Sequence, residues 1–117
     1  MIYVASRRKN AAILRAHRDC GVPIISTWMD AINSGRTTKP TQEEIWRNSF
    51  DEIGKCTAFI LHDGGDGALI ELGIALGMGV EKMIATDAGP WTHISVVQFA
   101  PSIFAAYEMA TATTSRP

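Results

Sequence analysis

The run from Leu61 to Gly79, Leu-His-Asp-Gly-Gly-Asp-Gly-Ala-Leu-Ile-Glu-Leu-Gly-Ile-Ala-Leu-Gly-Met-Gly, constrains the fold more than any other part of the chain. Thr57-Ala-Phe-Ile-Leu61, leading into it, is a short apolar run with a β-branched start, the pattern of a buried strand. Asp63 to Gly67 then reads as a tight turn, because glycine reaches positive φ at little steric cost. From Ala68 the period changes. Leu69, Leu72, Ile74, Leu76 and Met78 fill most faces of a helix over 68–79, which is therefore largely buried. This order puts a helix N-terminus at the carboxyl end of a strand, where open α/β sheets bind ligands and free N–H groups favour anions. Glu71 is the one ionisable residue between Gly67 and Gly79. A carboxylate there either stabilises the start of the helix or does chemistry.

The remaining elements alternate around this unit. Met1 to Ala5 reads as a first, central strand, Ala11 to about Cys20 as a helix, and Pro23 to Thr27 as a second strand. Residues 31–40 form a polar loop long enough to act as a lid. Thr41 and Glu44 have capping-box spacing at the start of a helix over 41–54, with Ile45, Trp46, Phe50 and Ile53 as its inward stripe. Residues 56–61 form the third strand, Lys82 to Ala85 a fourth and Ile94 to Phe99 a fifth, and Ser102 caps a last helix. Such alternation predicts an α/β fold: a doubly wound, five-stranded parallel sheet in the order 2-1-3-4-5 with helices on both faces. Residues 1–112 form one domain, and 113–117 a frayed tail.

Composition narrows the function. A chain of 117 residues with 46% hydrophobic and 20% charged residues fits one ordinary globular core. A net charge of −1, with Arg7-Arg8-Lys9 the longest basic run, disfavours bulk nucleic-acid binding. No apolar run is long enough to span a bilayer, and residues 1–5 lack the preceding charges of a signal peptide. Cys20 and Cys56 stand apart, and His17, His62 and His93 are scattered, so the expectation is two buried thiols in a cytoplasmic protein with no metal and no cofactor.

The loops after the strands hold the candidate site residues. Ser6-Arg7-Arg8 is either a solvated helix start or an anion site built from a hydroxyl, backbone N–H groups and a guanidinium. Trp28 and Trp91 are either core or faces for stacking a nucleobase. Glu71 can attack an anomeric carbon, with Asp63 or Asp66 handling the proton on the departing group. His62 reads as a hydrogen-bonded structural residue and Asp30 as a turn former.

Ile2-Tyr-Val-Ala-Ser6, followed by Asp66-Gly-Ala-Leu-Ile-Glu-Leu-Gly-Ile-Ala-Leu-Gly77, resembles the nucleoside 2-deoxyribosyltransferase family, which includes deoxynucleoside 5′-monophosphate N-glycosidases. The resemblance implies a doubly wound α/β fold, sites shared between subunits of a homo-oligomer, and cleavage or transfer at the N-glycosidic bond of a 2′-deoxynucleoside or its 5′-monophosphate. By the same resemblance Glu71 is the nucleophile toward C1′, Tyr3 orients it, Asp66 matches the acidic residue preceding it, and Ser6, Arg7 and Gly67 line the phosphate or 5′-hydroxyl end. Where the family commonly has an aspartate serving the nucleobase, this chain has Asn48, which hydrogen-bonds but donates no carboxylic proton. Trp28 and Asp63 complete the substrate-binding set. The alternative is a nucleotide-binding protein that senses or sequesters its ligand without turnover, and the departure at Asn48 favours it.

Overall fold

The computed structural model describes residues 1–32 and 41–112. Of the expected polar loop over 31–40, residues 33–40 lie outside them, as does the tail 113–117, whereas Ala31 and Ile32 are helical rather than loop. Four parallel strands form one sheet in the order β1 (Ile2–Ser6), β2 (Ala58–His62), β3 (Lys82–Ala85), β4 (Val97–Phe99). The helices are α1 (Ala11–Asp19), α2 (Trp28–Ile32), α3 (Gln42–Lys55), α4 (Asp66–Met78) and α5 (Ile103–Thr111), with single 3-10 turns at Arg8–Asn10 and Pro90–His93. β1 and β2 are buried residue after residue up to their last positions, so both faces of the sheet are covered. α3 packs with α4. α1 meets α5 through His17, whose ring lies 5.1 Å from that of Phe104 and 5.4 Å from that of Tyr107.

The α/β architecture with a parallel sheet is as the alternating pattern implies, but among the described residues the sheet has four strands rather than five, and β1 is an edge strand in the order β1-β2-β3-β4 rather than an interior one in the order 2-1-3-4-5. Residues 23–27 make only a single parallel bridge, Ile2 with Ile24. Ile2 N–H donates to the Pro23 carbonyl and Ile25 N–H to that of Ile2, each at 2.8 Å. Beyond this point side chains take the place of a ladder. Ser26 Oγ accepts the Val4 N–H at 2.8 Å, and Trp28 Nε1 donates to the Val4 carbonyl at 2.8 Å. With both polar groups of Val4 satisfied this way, no backbone pairing is needed there. The bridge lies on the edge of β1 away from β2.

The last strand is also shorter than its apolar run. Ile94 N–H bonds the Trp91 carbonyl and Val97 N–H bonds that of Ile94, each at 3.0 Å, so turns consume residues 94–96 before β4 begins. Other signals hold. Thr41 Oγ1 accepts from Glu44 N–H at 3.1 Å in a reciprocal capping box, and Ser102 Oγ accepts from Ala105 N–H at 3.1 Å. Gly79 closes α4 in the left-handed conformation at φ 71°. Cys20 is exposed and Cys56 half-buried, both as free thiols, which corrects the expectation of two buried ones. Among the described residues no helix is long and apolar enough to cross a membrane.

Candidate active site

β1 and α4 bring the two central residues together. Tyr3 points from the interior of β1, fully buried and stacked on Phe59 of β2, with ring centroids 5.7 Å apart. Its phenol donates to Glu71 Oε2. Glu71 lies more than one turn into α4, and only 8% of its surface is exposed. The first turn of that helix is occupied by Asp66, so Glu71 is not a charge placed at the helix terminus.

Burial dominates the electrostatics of the pair. It pushes the Glu71 carboxyl up to about 7, opposed by the hydroxyls of Tyr3 and Ser49 and reinforced by the charge of Glu52. Burial and the adjacent Glu71 raise the Tyr3 phenol well above its ordinary value. Tyr3 therefore acts as a hydrogen-bond donor, and Glu71 titrates near neutrality.

An open cleft of about 140 Å³ reaches Glu71. Ser6 and Arg8 border it at the end of β1, Trp28 at the start of α2, Ile45, Trp46 and Ser49 on α3, and Gly67 and Ala68 on α4. The walls Trp28 and Ile45 are shared with a second hollow of about 470 Å³, where Asn48, Asp30, Glu44 and Glu52 lie. Glu52 is also buried. It accepts the Thr27 N–H at 3.1 Å and the Thr27 hydroxyl at 2.5 Å, and burial raises its carboxyl despite both bonds.

The basic turn after β1 is tied to the turn after β2. Asn10 Nδ2 donates to Ser6 Oγ at 2.8 Å and to Asp63 Oδ2 at 3.0 Å. Arg7 Nε lies 3.4 Å from Asp63 Oδ1, and Lys9 Nζ 3.3 Å from Oδ2. The Asn10 amide and these charges hold the Asp63 carboxyl below its ordinary value. Asp63 has φ 48°, a left-handed conformation that aspartate tolerates better than most residues. Gly64 follows because a Cβ there would stand 2.5 Å from Leu61 Cδ1. Arg7, Arg8 and Lys9 then line a shallow hollow with Ser6, Gly65, Gly67 and Ala68 at the N-terminus of α4, a surface suited to an anion.

Of the residues expected at the site, Glu71, Ser6, Trp28 and Gly67 border one cleft, and Tyr3 is buried behind it, joined to it through its hydrogen bond to Glu71. Arg7 lies on the adjoining basic hollow, Asn48 on the far side of Trp28 and Ile45, and Asp63 anchors the basic turn. Asp66 is exposed at the start of α4 and borders none of these hollows. Trp91 donates to the Asp87 carbonyl at 2.8 Å and packs over Gly89, away from the cleft. His62 Nδ1 pairs with Thr86 Oγ1 at 2.7 Å, a structural contact. Among the described residues no group of three or more His, Cys, Asp or Glu side chains is placed to hold a metal ion.

Sequence reasoning missed Trp46 and Ser49. The helical periodicity places Trp46 on the inward stripe and gives Ser49 no role, yet both line the Glu71 cleft. The inward stripe of α3 runs through Ser49, Glu52 and Ile53, whereas Phe50 is 41% exposed. A polar Ser-x-x-Glu pair on the same helical face as Ile45 was the available signal.

The fold and cleft define an α/β domain with a parallel sheet and a buried, tyrosine-bound carboxylate bordering a cleft that opens at the carboxyl end of β1. Comparison of the chain with family models, curated proteins and solved structures gives no match.

Proposed function

We propose that the chain cleaves or transfers at the N-glycosidic bond of a 2′-deoxynucleoside or its 5′-monophosphate, with Glu71 as nucleophile. The observation that carries this reading is the buried Tyr3–Glu71 hydrogen bond at the wall of a cleft with two indole side chains. A carboxylate oxygen attacks C1′, and the electron pair of the breaking C1′–N bond goes to the departing base. Water, or a second base in the transfer reaction, then releases the sugar from the ester. Trp28 and Trp46 offer apolar faces beside the sugar and base, and Ser6, Arg8 and the start of α4 suit the 5′ end, a phosphate included. Asp63 is committed to Arg7, Lys9 and Asn10, and Asp66 lies outside the cleft, so solvent is the proton donor to the base in this scheme. The scheme requires no cofactor.

The second reading is a nucleotide binder without turnover on the same site. Asn48 in place of a carboxylate favours it, as does the position of Asn48 outside the Glu71 cleft. Incubating the purified protein with each deoxynucleoside and its monophosphate, with chromatography for free base and calorimetry for affinity, separates the two. The enzyme releases base, and Glu71→Gln abolishes release while leaving affinity within a few-fold. Wild-type protein that binds but releases nothing, matched by Glu71→Gln in affinity, establishes the binder.

A cytoplasmic homo-oligomer is the setting we propose. Phe50 on α3 and Leu69, Ile70 and Met78 on α4 leave apolar surface exposed, and a second copy would cover it. Light scattering at micromolar concentration tests this, and a monomer contradicts it.

A further inference from the structure

Glu52 is a buried carboxylate that the proposed reaction does not use. It lies 9% exposed on the inward face of α3, where a charge is costly unless hydrogen bonds satisfy it. Both of its oxygens go to one neighbour. Oε1 accepts the Thr27 N–H at 3.1 Å, and Oε2 accepts the Thr27 hydroxyl at 2.5 Å. Thr27 immediately precedes α2, and its carbonyl accepts the Asp30 N–H at 3.0 Å in the first turn of that helix. Trp28 comes next, with its indole N–H on the Val4 carbonyl at 2.8 Å.

With five residues, α2 is too short to be stable by itself. The chain before it has a single bridge to β1, so neighbouring helices grip it through side chains. From α1, Arg15 Nη1 donates to the Met29 carbonyl at 2.6 Å, and Arg18 pairs with both oxygens of Asp30 at 2.7 and 2.8 Å. From α3, Glu52 holds Thr27. This second grip bears on the site, because the Glu71 cleft has Trp28 of α2 and Ile45 and Trp46 of α3 among its walls. We propose that Glu52 is a positioning residue: its two bonds to Thr27 tie α2 to α3 and set the gap between Trp28 and the α3 wall, in which a planar base stacks. A carboxylate suits the task because it accepts from a backbone N–H and a hydroxyl at once. Glu52 and Thr27 line the second hollow and not the cleft, so they act through Trp28 rather than on the reacting atoms.

This inference rests on the reading of the cleft as a nucleoside site, and its first test needs no turnover. Hydrogen exchange of the Trp28 indole N–H, assigned by its loss in Trp28→Phe, reports how firmly α2 is held, and the amides of β2 report global opening. Thr27→Val removes the hydroxyl bond and leaves every carboxylate in place, whereas Glu52→Ala removes both bonds. Each should speed indole exchange by about 5-fold or more relative to the β2 amides. Thr27→Ser keeps both bonds, and Glu52→Gln keeps an oxygen for the Thr27 N–H, so both should stay within about 2-fold of wild type. In base release, Thr27→Val should raise KM for a deoxynucleoside several-fold with kcat near wild type, since Tyr3 and Glu71 are untouched. The proposal is overturned by indole exchange in Thr27→Val and Glu52→Ala that matches wild type or rises only in step with β2. Thr27→Ser exchanging as fast as Thr27→Val also overturns it, as does a fall in kcat at unchanged KM. Faster indole exchange in a protein that releases no base upholds the tie between the helices and rejects the reaction.

Discussion

The Tyr3 phenol on β1 donates to Glu71 Oε2 on α4 across 68 residues of sequence, with Tyr3 fully buried and Glu71 at the wall of the cleft. Two polar groups are thereby placed where burial is most costly unless each satisfies the other. The pair joins the sheet to α4 and sets the state of the one carboxylate in the cleft with a strongly raised pKa.

Removing the phenol tests that link. Tyr3→Phe keeps the ring stacked on Phe59 but deprives Glu71 of its donor. Base release at neutral pH should fall about 10-fold, equivalent to ~1.4 kcal/mol for a charged hydrogen bond. The pH of half-maximal rate should rise above about 7. A pH–rate profile superimposable on wild type would dissociate Tyr3 from Glu71.

Glu71 should also make stability fall with rising pH. Its carboxyl titrates at about 7 in the folded protein and near 4.5 when unperturbed. The folded state therefore holds more protons than the unfolded state between those values, and stability is lost as pH rises from the lower to the higher. Glu71→Gln removes this slope. Relative to wild type, the variant should gain up to ~3 kcal/mol between pH 4 and pH 8. Urea unfolding of both proteins at several pH values measures the difference, and parallel curves would contradict it.

Ser26→Ala should expose what replaces the missing fifth strand. The change strands the buried Val4 N–H, which Ser26 Oγ accepts at 2.8 Å, and should cost about 1–3 kcal/mol. The bridge between Ile2 and Ile24 should loosen, giving faster amide exchange at Ile25. Because the contact lies on the other edge of β1 from β2, the Glu71 titration should be unchanged.

Two adjacent glycines should respond differently. A Cβ at Gly64 would stand 2.5 Å from Leu61 Cδ1 and 3.0 Å from Ala68 Cβ, both in the buried core. Gly64→Ala should therefore cost about 1–3 kcal/mol by overpacking. At Gly65 the nearest atom is Arg7 Nη1 at 3.4 Å, the end of a flexible side chain, so Gly65→Ala should lie within about 0.5 kcal/mol of wild type. Thermal unfolding of the two variants decides the comparison.

The local signals were legible because they depend on near neighbours. The strand, turn and helix from Ala58 to Gly79, the Thr41–Glu44 capping box and the Ser102 cap all follow from φ preference, periodicity and short-range hydrogen bonding. Tyr3 and Glu71 were recognisable as a pair only through the motifs that carry the family resemblance. Pro23 to Thr27 has the composition of a strand, but strand formation needs a partner. The groups of Val4 that could have paired with it are taken by Ser26 and Trp28, a choice that local propensity does not register.

The sequence by itself determined an alternating α/β chain, the turn that ends β2, and a lone carboxylate in an apolar helix. Only the tertiary structure decided which side chains meet that carboxylate. It turned the Ser49 and Glu52 face of α3 inward, left Phe50 outside, put Asn48 beyond Trp28 and Ile45, and committed Asp63 to the basic turn. The physical reason is that helix periodicity assigns residues to faces, whereas the rotation of each helix follows from packing against the sheet and its neighbours. A buried polar face is stable only when partners from other elements satisfy it, and those partners lie far away in the chain.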